Sequence, residues 1–372
     1  MTKLLIGKNT RRNEVINSLN IKNFTEFSEA NFDFSEGLNV IIGDNSTGKS
    51  HVLKLAYAIM YVWHEAKREQ EEIPGEITSG GSDSWWQRRL AEKLVKVFKP
   101  DTLGRLCRVG QKAATQIEVV QIINKTETKA ALKFTKTSKA EVELLQKPTS
   151  FPSTMPLFLP AKEVLSLFPN FIRVYEERML AFEEAYYDLC KALSTPLLRN
   201  PETSLLEPLE KMIGGKVKLE SDRFYIHFPE QGDLEISLIA EGLRKVALLS
   251  YLIANDSLKK GSTLFWDEPE TNLNPRMMKQ VIDSLVQLVE KGTQIILTTH
   301  HLFLMKALAF QATHSQSQIP IKFFSLVKQK NDISVEEGET LTDLSTIVTL
   351  DEEIALFGRE QEAFYAALEG KS

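Results

Sequence analysis

Residues Gly43 to Ser50 read G-D-N-S-T-G-K-S, a composition and spacing suited to holding a chain of phosphates. Glycines at Gly43 and Gly48 let the backbone curl through Asp44, Asn45, Ser46 and Thr47, so that successive N–H groups turn inward on anionic oxygens. Lys49 then reaches the outer phosphates, and the hydroxyl of Ser50 is set to ligate Mg²⁺. Such a loop needs a strand entering it and a helix leaving it. Leu38 to Ile42 supply an apolar run of strand character, and Val52, Leu53, Leu55, Ala56, Ile59, Met60 and Trp63 follow at helical spacing. The helix start adds the positive end of its dipole to the phosphate site. The octad is a Walker A motif, and the expected cofactors are ATP and Mg²⁺.

A second chemical segment lies at Thr263 to Glu270, T-L-F-W-D-E-P-E, where strand-forming residues run into two adjacent carboxylates. In a P-loop sheet, Asp267 at the strand tip joins Ser50 in the metal shell, and Glu268 is placed to deprotonate the attacking water. Further on, Met277 to Lys291 read as an amphipathic helix and Gln294 to Thr299 as a buried strand ending at His300. A polar residue at the tip of a buried strand beside a phosphate site is suited to sensing the terminal phosphate.

With D-E-P-E, E-T-N-L-N-P at Glu270 to Pro275 and T-T-H at Thr298 to His300 in this order, the chain resembles the ABC-type ATPases of the branch that contains SMC proteins, RecF and the OLD family. The resemblance implies a P-loop NTPase of α/β class: an ABC-ATPase-like sheet with a β-subdomain and a compact helical insertion. It makes His300 the switch histidine and Asn272 to Pro275 the D-loop, with Asn272 and Asn274 near nucleotide. It also requires a signature helix that meets the nucleotide of a second subunit. The matching segment is Ile239 to Lys245, where Gly242 is kept and Ala240 stands in the serine position. An ATP-dependent homo-oligomer, at least a dimer, is therefore expected. At the position of the Q-loop the chain offers Lys162 or Glu163, following the strand-like Leu157 to Leu159. The strand pair Ser18 to Phe24 and Ala30 to Phe34 fits the opening of the nucleotide-binding lobe.

At 372 residues with a 42% hydrophobic fraction, the chain can build one large ATPase domain (1–372) with additions to it, since a single core stops growing at about 250–300 residues. The two cysteines, Cys107 and Cys190, are widely separated and read as reduced thiols of a cytoplasmic protein. No apolar run approaches the ~18 residues of a membrane span, and no signal-peptide core is present. A loop rich in Gly, Ser and Pro is expected from Glu72 to Ser84. Where SMC proteins carry a long coiled coil, prolines from Pro148 to Pro208 interrupt any heptad, so the insertion is compact. It divides into a basic, strand-rich part (73–156), with a helix from Trp85 to Phe98 and strands within Gln116 to Leu145, and a helical part (164–213).

Charge is uneven. Arg88 to Lys147 hold 14 Lys and Arg against 6 Asp and Glu, in a chain whose net charge is −5. Lys125, Lys129, Lys133, Lys136 and Lys139 are the densest group. The segment suits either phosphate-backbone contact with nucleic acid or docking on an acidic protein; aromatic interleaving of the single-strand-binding kind is missing. The C-terminal segment (301–372) reads as helix, two strands and an acidic helix from Asp351, too short for the TOPRIM nuclease of the OLD family. The chain thus resembles standalone ATPase subunits of anti-phage systems such as PARIS and Septu, which implies a separately encoded nuclease or toxin effector. A RecF-like or SMC-like DNA-repair ATPase is the alternative, and a transporter ATPase the weakest fit, because L-S-G-G-Q is not found.

Overall fold

The computed structural model describes residues 14–71, 80–178, 180–314 and 319–369. Of the loop expected from Glu72 to Ser84, residues 72–79 lie outside the described ones. The core is a six-stranded sheet in the order β14 (Ile333–Gly338), β13 (Ile321–Lys328), β3 (Leu38–Gly43), β12 (Gln294–Thr299), β11 (Thr263–Asp267), β7 (Leu157–Leu159). All neighbours are parallel except β14, which closes one edge as the antiparallel half of a hairpin. The strands alternate between two cores with the period of two that a pleated strand imposes. Leu38, Val40 and Ile42 of β3 share one core with Ile295 and Leu297 of β12 and Leu264 and Trp266 of β11. Ile41, Ile296 and Phe265 point into the other. Near-continuous apolar runs in β3, β11 and β12 are what a sheet covered on both faces requires.

One face is covered by the loop-proximal helix α1 (Lys49–Glu71), by α2 (Asp83–Phe98) and by a five-stranded antiparallel sheet. That sheet has the order β2 (Phe27–Asp33), β1 (Glu14–Phe24), β4 (Thr115–Ile123), β5 (Thr126–Phe134), β6 (Glu143–Gln146). The strand-rich part expected as an insertion therefore pairs directly with the N-terminal strands: Leu19 opposes Val119 and Ile21 opposes Ile117. Chain order separates the two by the whole of α1 and α2, and only pairing brings them into one sheet.

The opposite face carries α3 (Phe171–Arg178), α4 (Glu184–Leu193), α5 (Thr203–Ile213), α6 (Glu241–Ala254), α7 (Pro275–Glu290) and α8 (Leu302–His314). Helix α7 shows how such an element arises. Asn274 caps it by accepting a hydrogen bond from the Met277 N–H at 3.0 Å, Pro275 sits at the first helical position, and Gly292 follows its end with φ of 107°. Its buried positions Met278, Val281, Ile282, Leu285, Leu288 and Val289 recur at steps of three and four. Each such side chain contributes about 1.5–3 kcal/mol on burial. Loss of the cap in Asn274→Ala costs about 1 kcal/mol.

A three-stranded sheet, β10 (Gly232–Glu235), β9 (Arg223–Phe228), β8 (Lys216–Glu220), precedes α6 and was not anticipated. Its signal is short: Val217 and Leu219 alternate with polar residues, then Ser221 and Asp222 turn the chain at φ of 49° and 61°. The helical part is tied to α1 by a buried ionic cluster. Lys93 of α2 lies 2.5 Å from Asp188 and 3.3 Å from Glu184 of α4, and Tyr57 of α1 donates to Asp188 at 2.7 Å. Removing one partner from such a buried set costs about 3–5 kcal/mol, so the cluster fastens α1, α2 and α4 together. Among the described residues no helix is long and apolar enough to cross a membrane.

Candidate functional site

The order β3, β12, β11 sets three strand tips side by side, and each delivers one part of the site. At the first tip the phosphate-binding loop takes positive φ at Gly43 (151°), Ser46 (63°) and Gly48 (87°). A Cβ at Gly43 would stand 2.8 Å from the Leu326 carbonyl oxygen, and one at Gly48 would stand 2.8 Å from the Phe27 ring, so glycine is required at both. Thr47 closes the loop by donating to the Asp44 carbonyl at 2.8 Å. Asn45 to His51, together with Glu26 and Glu268, line a cavity of about 320 Å³. Larger cavities of about 680 and 690 Å³ lie along the C-terminal half of α1, and neither is lined by the Gly43–Ser50 loop, Asp267 or His300. Lys49 is buried, and its Nζ donates to the Gly43 and Asp44 carbonyls at 2.8 Å each. Burial lowers its pKa, against the opposing pull of Glu268, Asp267, Asp44 and Glu270. It is a cation held against the loop backbone, with carboxylates arrayed around it.

At the β11 tip, Asp267 Oδ1 accepts from Ser50 Oγ at 2.9 Å and from Thr298 Oγ1 at 2.5 Å. This pairing tests the fit of Mg²⁺. A hydroxyl and a carboxylate oxygen converge beside the phosphate loop, the hard-oxygen donor set Mg²⁺ prefers. Among the described residues no group of three or more His, Cys, Asp or Glu could hold a metal by itself, so phosphate oxygens and water must complete the shell, as is usual for Mg²⁺. Glu268 has φ of 47°, held by its N–H on the Thr298 carbonyl and hydroxyl at 3.2 Å each. This left-handed turn aims the carboxylate across the sheet edge, where Oε1 lies 3.2 Å from His300 Nδ1 at the β12 tip. Strain at a non-glycine residue here is the kind of outlier found at functional sites.

Two buried residues to which the sequence assigned no role support the strand tips from behind. Glu270 is buried, accepts from Thr299 Oγ1 at 2.6 Å and from the His300 N–H at 3.4 Å, and burial raises its pKa. Its second oxygen has no hydrogen-bond partner. Lys245 of α6 is also buried, donates to the Glu268 carbonyl at 3.3 Å and has its pKa lowered by burial, with Glu270 the largest opposing charge. The last Glu of D-E-P-E was a sequence signal for Glu270. Lys245 had none, because an E-G-L-R-K helix start reads as solvated.

Two segments of the chain match known ATPase families. Residues 15–71 match the family described as "AAA ATPase domain", and residues 122–306 the family described as "AAA domain, putative AbiEii toxin, Type IV TA system". The Old nuclease of Escherichia phage P2 is 38% identical over 81 residues, and the DNA replication and repair protein RecF of Oenococcus oeni is 41% identical over 97. These matches take in 20% and 26% of the chain, which spans 14% and 24% of those two relatives. The fold is that of an SMC head solved with the C-winged helix domain of ScpA, at a TM-score of 0.56 and 14% identity over 88% of the chain and 98% of that structure. The chain is similar to AAA-type P-loop ATPases and has the fold of an SMC head.

The remaining motif positions of the ATPase fall outside the phosphate cavity. Gly242, Asn272 and Asn274 do not line it. Gly242 is buried at the start of α6, where an added Cβ would stand 2.5 Å from the Asn272 carbonyl oxygen and 3.1 Å from Leu273. Gly242 thus lets α6 close on Asn272 and Leu273 of its own chain. Asn272 itself is exposed, with φ of 64°, and Asn274 is occupied as the α7 cap. Ala240 is the N-cap of α6 and supplies no side-chain hydrogen bond. Of the two Q-loop residues, Glu163 is buried and committed to Ser166 (2.7 Å) and Arg244 (3.3 Å), whereas Lys162 is exposed. Glu163 therefore ties the end of β7 to the signature segment.

The basic segment is less free than its composition implies. Lys129 pairs with Glu127, Lys133 with Glu143 and Lys147 with Asp83, and Lys93 belongs to the buried cluster. Lys125, Lys136 and Lys139 are exposed at the turns of the antiparallel sheet.

Proposed function

We propose that the chain binds ATP on the Gly43–Ser50 loop and hydrolyses it, and that the nucleotide state of a head-to-tail homo-oligomer controls a separate effector protein in an anti-phage or toxin-type system. The observation that carries the chemistry is the convergence of Lys49, Ser50, Asp267, Glu268 and His300 on three adjacent strand tips. In this reading the loop N–H groups and Lys49, released from the Gly43 and Asp44 carbonyls, hold the phosphates. Ser50 and Asp267 would hold Mg²⁺, which supplies neutralisation of charge on the phosphates. Glu268 takes the proton of the attacking water as its oxygen bonds to the γ-phosphorus and the bond to the ADP oxygen breaks. His300 donates toward the terminal phosphate, and its backbone is kept in register by Glu270. Gly242 and Asn272 of a second copy complete the site; the exposure of Asn272 and of Ala240 supports that role.

The toxin-system description matched by residues 122–306 and the buried free cysteines support a cytoplasmic defence or toxin role. The RecF match and the exposed Lys125, Lys136 and Lys139 favour the second reading, an ATPase that binds DNA through the 88–147 segment. Lys49→Ala should abolish tight ATP binding, whereas Glu268→Gln should bind ATP without releasing phosphate, because Lys49 acts in the bound ground state and Glu268 only on the reacting water. Equal phosphate release by Glu268→Gln and the unmodified chain removes Glu268 as the base.

A further inference from the structure

The C-terminal helix α9 (Val348–Glu369) takes no part in the ATPase core beyond its first turn. Residues 351–366 are all exposed, including Ile354 at 61%, Phe357 at 60% and Phe364 at 63%. A helix of this length, about 33 Å at 1.5 Å per residue, does not leave large apolar groups in water without a use for them. Their spacing is regular. Leu350, Ile354, Phe357, Gln361 and Phe364 follow one another at steps of four, three, four and three, the alternation that lays a seam along one face for a second helix. Gln361 inside the seam is the kind of polar residue that sets register.

Charge decides which helix. Residues 351–366 carry Asp351, Glu352, Glu353, Glu360 and Glu362 against Arg359 alone, and Asp351, Glu353 and Glu360 border the seam. Two copies paired antiparallel would bring Glu353 and Glu360 of one against those of the other. Paired in parallel they would set Glu353 opposite Gly358 and Glu360 opposite Tyr365, with no attraction from either. A partner with Lys or Arg along its seam turns the same carboxylates into cross-helix pairs. We propose that α9 docks an amphipathic helix of a different protein, one with an apolar seam bordered by Lys or Arg.

The first turn of α9 gives the docked partner a route to the ATP site. Thr349 Oγ1 donates to the His300 carbonyl at 3.0 Å, and the Thr346 carbonyl accepts from Ser325 Oγ of β13 at 2.7 Å. A shift of His300 on meeting a γ-phosphate is passed to the base of the helix. This step deepens the effector-controlling reading above and rests on it, whereas the docking surface itself does not.

The test uses the full chain and synthetic three-heptad peptides with a leucine seam, one bordered by lysines and one by glutamates, followed by fluorescence anisotropy. Without nucleotide, the lysine peptide should bind at least tenfold more tightly than the glutamate peptide. The double variant Phe357→Glu, Phe364→Glu, which adds negative charge but destroys the seam, should lose that binding by at least tenfold. Both positions are solvent-exposed, so folding is unaffected, and circular dichroism checks this. Equal affinity for the two peptides, or binding that survives in the double variant, overturns the docking surface. A concentration-dependent oligomer in sedimentation that the double variant dissolves overturns it in favour of self-association. With a non-hydrolysable ATP analogue the affinity for the lysine peptide should change, and Thr349→Val should remove that change. An affinity indifferent to the analogue refutes the coupling while leaving the surface intact.

Discussion

Thr299→Val tests whether the tip of β12 is held in place by a buried carboxylate. Thr299 Oγ1 donates to Glu270 Oε1 at 2.6 Å and accepts from the His301 N–H at 3.0 Å, and the side chain is fully buried. Valine keeps the shape and removes both bonds. The lost bond to a carboxylate is worth about 1.5–3 kcal/mol and the orphaned N–H about 1 kcal/mol more. The first part depends on pH. Burial already raises the pKa of Glu270, and the Thr299 hydroxyl is the leading interaction that opposes the rise, so the variant raises it further. A carboxyl whose folded pKa is raised favours the fold below its unfolded pKa, and that advantage is lost as pH climbs through the folded value. The deficit of Thr299→Val should therefore be full at a pH above the raised pKa of Glu270 and shrink at a pH below it, where Glu270 is neutral in both proteins. Urea denaturation at the two pH values measures it. Thr299→Ser keeps both bonds and should show neither effect. A deficit under 0.5 kcal/mol, or one equal at both pH values, would refute the claim that Glu270 is a charged strut for His300.

Gly242→Ala should lower the stability of the isolated chain by about 1–3 kcal/mol, because its Cβ meets the Asn272 carbonyl at 2.5 Å; an unchanged thermal midpoint would assign the glycine to intersubunit contact alone. Ala240→Ser should add about 1 kcal/mol as an N-cap of α6, read by the same melting assay, and should strengthen dimerisation with an ATP analogue in light scattering. Reversing Lys125, Lys136 and Lys139 to Glu should weaken any DNA binding equally for all sequences and flatten its salt dependence, whereas reversing the paired Lys129 and Lys133 should do less; a chain with no binding at low salt moves the segment to a protein partner. The purified chain with Mg²⁺ or Mn²⁺ should not nick plasmid DNA, and nicking that survives Lys49→Ala would show a second active site.

Short-range patterns carried most of the site. The Walker loop was legible because glycine at two fixed positions and a lysine at the helix start are demands of local backbone geometry, and positive φ at Gly43, Ser46 and Gly48 meets them. The apolar runs of β3, β11 and β12 were equally legible, since a doubly covered strand must be apolar along its length. Sheet membership was not. The pairing of β4 with β1 joins residues about a hundred positions apart, and an alternating strand such as Thr115–Ile123 carries no mark of its partner. The small β8–β10 sheet was written in alternation too brief to outweigh its turns. Burial of charge was decided by the tertiary structure alone. Lys93, Lys245, Glu163 and Glu270 look like solvated residues in the sequence, and each is buried only because packing of separate elements brings it a partner. The apolar face of α9 is the opposite case: the sequence shows the seam, and the fold decides that nothing in the described chain covers residues 351–366.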